Sequence, residues 1–181
     1  MVEVRCLRVA RPEDYDRIVA VMNDWWGRPV SPSLPRLFLD HFWSTSRVAE
    51  DEHGLAGFLV AFVSPSQPNL AYVHFVGVRP DHRNSGLARQ LYEEFADHAR
   101  NQGCTELRAI TATGNIDSIR FHQSLGFTVS DPVPDSNGPD PPMVTFRLRL
   151  RPAHDHPHPH GPRDDPGPLW PAHTCPSFRA C

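Results

Sequence analysis

Val76-Gly77-Val78-Arg79-Pro80-Asp81-His82-Arg83-Asn84-Ser85-Gly86-Leu87-Ala88-Arg89-Gln90-Leu91 changes its hydrophobic period part-way along, and that change sets the architecture. Tyr72 to Val78 is a run of β-branched and aromatic residues, a strand that Pro80 stops because it can neither donate to a ladder nor extend one. From Ser85 onward the period is helical. Leu87, Ala88, Leu91, Tyr92, Phe95 and Ala99 recur at three- and four-residue spacings, with Arg89, Glu93, Glu94, Asp97 and Arg100 on the opposite face. The first turn of such a helix leaves backbone N–H groups unpaired at the positive end of a dipole worth roughly half a charge. Gly86 has no Cβ to hold a large anion away from them, and Arg83 adds a permanent cation with a forked set of donors. A pyrophosphate suits this turn. The alternative is an ordinary strand-to-helix turn with Asn84 or Ser85 as N-cap and Arg83 solvated.

Outward from this stretch, the punctuation yields an ordered set of elements. Val4 to Val9 reads as a first strand, and Pro12 with Glu13 and Asp14 opens a helix whose apolar positions are Tyr15, Ile18, Val19, Met22 and Trp25. Gly27 to Pro32 breaks it, and a second helix is expected from Ser33 to Phe42. Ser46 to Glu50 and Leu55 to Val63 read as an antiparallel pair. After the 72–78 strand and its helix, which Gly103 ends as a C′ residue, Thr105 to Thr111 is a strand. Asn115 or Asp117 caps a helix through Leu125, Phe127 to Val129 re-enters the sheet, and Met143 to Leu150 alternates as a final strand. The order is β-α-α-β-β-β-α-β-α-β-β.

The 181 residues allow one domain, expected over 1–150. Residues 151–181 hold eight prolines and five histidines, too little apolar surface to offset ordering, and are expected to be a disordered tail. His154, His156, His158 and His160 could take a divalent metal, but an extension without chemistry is the preferred reading, and no metal site is assigned. A net charge of −3 with no basic run gives no footprint for nucleic acid. The start has no signal sequence and no run reaches the roughly 18 apolar residues of a membrane span, so a cytoplasmic protein is expected. The four cysteines lack zinc or disulfide spacing and are expected as free thiols. All 18 basic residues are arginine, which excludes a Walker-type loop with its lysine. A different nucleotide-binding protein using the same anion turn is the weaker rival, because GxGxxG is also missing.

Val78-x-Pro80-x-x-Arg83-x-x-Gly86-Leu87-Ala88 resembles motif A of the GNAT superfamily of N-acetyltransferases, Gln/Arg-x-x-Gly-x-Gly/Ala. Asn115-Ile116-Asp117-Ser118-Ile119-Arg120-Phe121-His122-Gln123-Ser124-Leu125-Gly126-Phe127 resembles the same family's motif B, Asn-x-x-Ala/Ser-x-x-Phe-Tyr-x-x-x-Gly-Phe. The resemblance implies an α/β (α+β) fold: a mixed, twisted sheet of about seven strands flanked by about four helices and split between the fourth and fifth strands. It also implies acetyl-CoA lying across the split.

On that resemblance the pantetheine pairs with the backbones of Phe75, Val76 and Val78, and the pyrophosphate rests on the N–H groups of Asn84, Ser85, Gly86, Leu87 and Ala88 beside Arg83. Gly77 would sit at a bulge where an unpaired N–H meets the thioester carbonyl. Asn115, Ser118 and Phe121 are expected against the cofactor, although capping competes for the first two. The family's acid is commonly a Tyr after the motif B Phe; here His122 stands in that place, and as an acid it would give a rate fall at high pH. His74, on the strand where the family often has a Glu, is the candidate base, expected on one side with Tyr72, Val76 and Val78. Asp24, Trp25 and Trp26 are candidates for the acceptor site. The implied reaction is direct attack by a small primary amine through a tetrahedral intermediate, with a homodimer left open. Acetylation of a protein N-terminus or side chain, or a non-catalytic acyl-CoA-binding module, are the alternatives.

Overall fold

The computed structural model describes residue 4, residues 6–134 and residues 141–151. The strands are β1 (Cys6–Val9), β2 (Arg47–Asp51), β3 (Gly54–Val63), β4 (Leu70–Val78), β5 (Glu106–Ala112), β6 (Thr128–Val129) and β7 (Met143–Arg149). The helices are α1 (Asp14–Trp26), α2 (Leu37–Phe42), α3 (Leu87–Asn101) and α4 (Ile116–Ser124). Their chain order is the one expected from the sequence. The second helix is shorter than Ser33–Phe42, because Pro35 keeps Leu34 out of helical geometry (φ −118°, ψ 82°) and Ser31–Ser33 forms a 3-10 turn instead. Cys104 is a buried free thiol, whereas Cys6 is disulfide-bonded, against the expectation of free thiols. The Pro/His-rich tail lies, from residue 152, outside the described residues.

The seven strands form one sheet in the order β1-β2-β3-β4-β5-β7-β6. Every pairing is antiparallel except β4 with β5, and that parallel pair is held only where Leu70, Ala71 and Tyr72 meet Glu106, Leu107 and Arg108. Beyond Tyr72 the two strands part, so the C-terminal half of β4 has a neighbour on one side only. A crevice at the carboxyl ends of adjacent parallel strands is where open α/β sheets bind ligands. One core layer packs α3 on the sheet through Leu87, Leu91, Tyr92, Phe95 and Ala99; the other packs α1, α2 and the segment before α2 through Ile18, Met22, Trp25, Leu34 and Leu39.

The β3–β4 register shifts between Val60 and Ala61, which pair with Phe75 and Val73. His74 is therefore the extra residue of a bulge, and the bulge resets which side chains share a face. Val73, Val76 and Val78 pack toward α3, while His74 and Phe75 contact Phe38 and Trp26 on the α1/α2 side. The expected grouping of His74 with Val76 and Val78 is corrected by this one inserted residue.

Candidate functional site

The chain leaves β4 through a 3-10 turn at Pro80–His82 and passes Asn84 (φ +61°) and Gly86 (φ +89°) before α3 begins at Leu87. A Cβ on Gly86 would meet nothing within 4 Å, so what selects glycine is its left-handed φ, and the space beside it is open to a ligand. The Ser85 N–H bonds the His82 carbonyl (3.3 Å) and the Leu87 N–H bonds Ser85 Oγ (3.3 Å). These two of the five expected donors are already engaged. The N–H groups of Asn84, Gly86, Ala88 and Arg89 have no acceptor among the described residues. Arg83 donates to the Trp25 carbonyl, which ties the turn to the last turn of α1.

Two cavities meet over this turn. The outer one, about 660 Å³, is lined by Arg83, Asn84, Gly86, Arg89, Asp117 and Arg120 among others. The inner one, about 290 Å³, is lined by Trp26, Val76, Gly77, Asn115, Ser118 and His122 among others. Val78, Arg83, Ala88, Asp117 and Phe121 line both, so the two form one groove along the split. The Arg79 N–H bonds the Ala56 carbonyl of β3 at 2.9 Å. In an antiparallel ladder this alternation turns the polar groups of Gly77 and Phe75 toward β3 and those of Val76 and Val78 toward the split. Phe75 thus drops out of the expected set of free-edge backbones, and Val76 and Val78 remain.

A buried cluster braces the turn from below. The carboxylate of Asp51, fully inaccessible, accepts from both terminal nitrogens of Arg79, from His82 Nε2 (2.8 Å) and from the His53 N–H (2.7 Å). Burial opposes its charge, yet the bonds from Arg79 and His82 hold it well below the usual carboxylate range. Sequence reasoning missed this cluster, whose only local signal is the run of charged residues around the two turns, because β2 and the 79–82 turn meet only in the folded sheet.

The sequence profile of the acetyltransferase (GNAT) family matches residues 13–127. The chain belongs to that family. It is 31% identical over 123 residues to the L-2,4-diaminobutyric acid acetyltransferase of Streptomyces coelicolor, covering 62% of this chain and 72% of that one. It is 43% identical over 61 residues to the L-methionine sulfoximine/L-methionine sulfone acetyltransferase of Salmonella typhimurium, a match spanning 34% of this chain and 36% of that relative. The fold is shared with diaminobutyrate acetyltransferase EctA of Paenibacillus lautus, solved with its substrate and coenzyme A (TM-score 0.63, 23% identity, 83% of this chain and 96% of that one). Acetyl-CoA is the acyl donor of the family. No helix among the described residues is long and apolar enough to cross a membrane.

Within this acetyltransferase, His122 is not placed as an acid. It is buried, its Nδ1–H donates to the Ser118 carbonyl (2.7 Å), and its Nε2 accepts from Tyr92 Oη (2.7 Å). It stacks on Phe146 with ring centroids 3.8 Å apart. Burial pushes its pKa down to about 4, against an upward pull from the Ser118 carbonyl, and burial raises that of Tyr92. A neutral imidazole with both nitrogens engaged has no proton to give near neutrality, so the expected acid role is corrected to a core contact between α3 and α4. Its titration has a sign. The unfolded chain takes up this proton below about pH 6.5 and the native state only near pH 4, so folding stability should fall by about 3 kcal/mol across that window. Urea unfolding from pH 7 to pH 4 checks this: the non-titrating His122→Gln variant should show a clearly flatter slope, and an unchanged slope refutes it.

His74 Nε2–H donates to the Ser33 carbonyl (2.9 Å), the ring stacks on Phe38, and Nδ1 has no partner among the described residues. Burial lowers its pKa despite the Ser33 contact. It lies outside the lining of both cavities, on the α1/α2 side. The two tryptophans separate as adjacent helical residues must. Trp25 is core, stacked on Phe58, so it is not an acceptor-site wall; Trp26 lines the inner cavity and contacts Phe75. Asp24 is exposed and lines neither cavity. Gly77 is paired to Phe58 rather than bulged, and a Cβ there would lie 2.6 Å from the Phe58 ring and 2.7 Å from Trp26. Close ring packing, not a bulge, requires this glycine. Asn115 caps α4, accepting from the Ser118 N–H (3.3 Å) and donating to Thr111 Oγ1 (3.0 Å), while its residue also borders the inner cavity.

Proposed function

We propose that this acetyltransferase transfers the acetyl group of acetyl-CoA to the primary amine of a small molecule, most simply an amino acid. The observation that carries the reading is the groove itself. A strand edge with unpaired backbone at Val76 and Val78 opens onto unpaired helix N–H groups at Gly86, Ala88 and Arg89, with arginines along the rim. This donor set fits a coenzyme A ester: amide-pairing strand first, anion-binding turn next. Bound there, the ester supplies an acyl group already activated as a thioester. The named substrates of the relatives, L-2,4-diaminobutyric acid and methionine sulfoximine, support an amino-acid amine as acceptor.

The chain's own residues divide the work. Val76 and Val78 hold the donor in extended register, and the N–H groups of Asn84, Gly86, Ala88 and Arg89 with Arg83 hold its diphosphate. Trp26, anchored through the Arg83 bond to the neighbouring Trp25 carbonyl, walls the inner cavity beside Phe121. His74, neutral and with Nδ1 open but outside both cavities, takes through intervening water the proton that an ammonium must lose before it can attack. With His122 sequestered, Ser118 is the hydroxyl-bearing residue left in the inner lining, and solvent serves the departing thiolate.

Thermal unfolding with and without acetyl-CoA tests the site. A ligand at about a hundred times its Kd stabilises the native state by roughly 2.7 kcal/mol. Gly86→Asp puts a negative charge and a strained φ where the diphosphate should sit, and should abolish the shift. No shift in the wild type overturns the reading; a wild-type shift justifies screening amino acids by release of free CoA.

A further inference from the structure

The outer cavity carries more cationic groups than a diphosphate seated on backbone N–H groups requires. Arg83, Arg89 and Arg120 line it against one carboxylate, Asp117. Arg83 is tethered to the Trp25 carbonyl, and Arg89 is oriented by a bond to the Ser124 carbonyl (3.1 Å). Each guanidinium has five N–H donors, so both keep free ones. Arg120, in the middle of α4, is exposed and has no hydrogen-bond or ion-pair partner among the described residues. Arg89 and Arg120 border only the outer cavity and reach it from two different helices. An unpaired guanidinium sharing one cavity lining with an oriented one is a setting for a phosphomonoester, which carries about 1.5 to 2 negative charges and three strong acceptor oxygens.

We infer that Arg120, supported by Arg89, binds the ribose 3′-phosphate of coenzyme A and so makes this chain discriminate coenzyme A from 3′-dephospho-CoA. The inference rests on the acyl-CoA reading of the groove, and Arg83 and the N–H groups of Asn84, Gly86, Ala88 and Arg89 remain the diphosphate site.

Calorimetric titration of the full chain with CoA and with 3′-dephospho-CoA tests it without any turnover. A charge-assisted bond at a half-open site corresponds to about a tenfold change in Kd. The wild type should bind CoA about tenfold more tightly than 3′-dephospho-CoA. Arg120→Gln should erase most of that ratio by weakening CoA alone, with 3′-dephospho-CoA unchanged, and Arg89→Gln should act in the same direction. An exposed position without partners makes Arg120→Gln safe for folding, which its unchanged Tm would establish. Equal affinity of the wild type for the two ligands overturns the inference while leaving the acyl-CoA reading standing. So does an equal weakening of both ligands in Arg120→Gln. Failure of the wild type to bind either one overturns both.

Discussion

Asp51→Ala should destabilise the protein by about 3–5 kcal/mol, the cost of removing one partner from a buried ionic cluster. The carboxylate it deletes has no solvent access and serves Arg79, His82 and the His53 N–H at once. Arg79 would keep its bonds to Asp81 (2.7 Å) and the Leu55 carbonyl (3.2 Å), which places the effect toward the lower end. His82, buried under the outer cavity, would keep none of its ring partners and the 80–82 turn would lose its brace. Loss of acyl-CoA affinity should therefore accompany loss of stability, whereas Gly86→Asp should cost chiefly affinity. Urea unfolding reads the first effect as a lower midpoint at unchanged slope. A change below about 1 kcal/mol would mean that the cluster is not the brace inferred from its geometry. The pH dependence has a fixed sign as well. Asp51 binds its proton less readily folded than unfolded, so its contribution is complete above the unfolded value of 3.8 and disappears as pH falls below it.

His74→Gln should lower kcat/KM by about a hundredfold or more, the usual contribution of a positioned general base. Glutamine can still donate a side-chain N–H to the Ser33 carbonyl, so the α2 contact survives and stability should move little. The pH profile separates the two roles. Burial lowers the His74 pKa from 6.5, so the wild type should keep its activity down past pH 6.5 and lose it only as Nδ1 takes up a proton below that. The variant should lack that acidic limb. Equal activity in the two proteins, or the same limb in both, would remove His74 from the chemistry and leave it as the stacking partner of Phe38. The limb lies inside the pH window over which protonation of His122 weakens the fold, so circular dichroism at each pH must show the protein still folded where the limb is read.

Those two residues show where sequence reading reached its limit. The motif B block correctly places His122 next to Phe121 on a helix bordering the groove. Its ring, however, turns inward to Tyr92, a residue thirty positions away on α3. Which partner a side chain meets depends on how α3 and α4 dock, and no spacing within either helix encodes that. The same holds for Trp25 and Trp26, where periodicity requires the pair to diverge but only the packing on Phe58 and Phe75 decides which ring enters the core.

The sequence by itself determined the order of strands and helices, the Pro80 stop and the glycine-bearing turn into α3. Each follows from the conformational limits of a few consecutive residues and from a hydrophobic period of two or about 3.6. Only the tertiary structure decided that β4 and β5 part after Tyr72, that a bulge puts His74 on the α1/α2 side, that Asp51 crosses from β2 to brace the turn, and that Arg120 lines the cavity without a partner among the described residues. These depend on register, docking and burial between segments far apart in the chain, where the free energy of a contact is set by its neighbours in space and not by its neighbours in sequence.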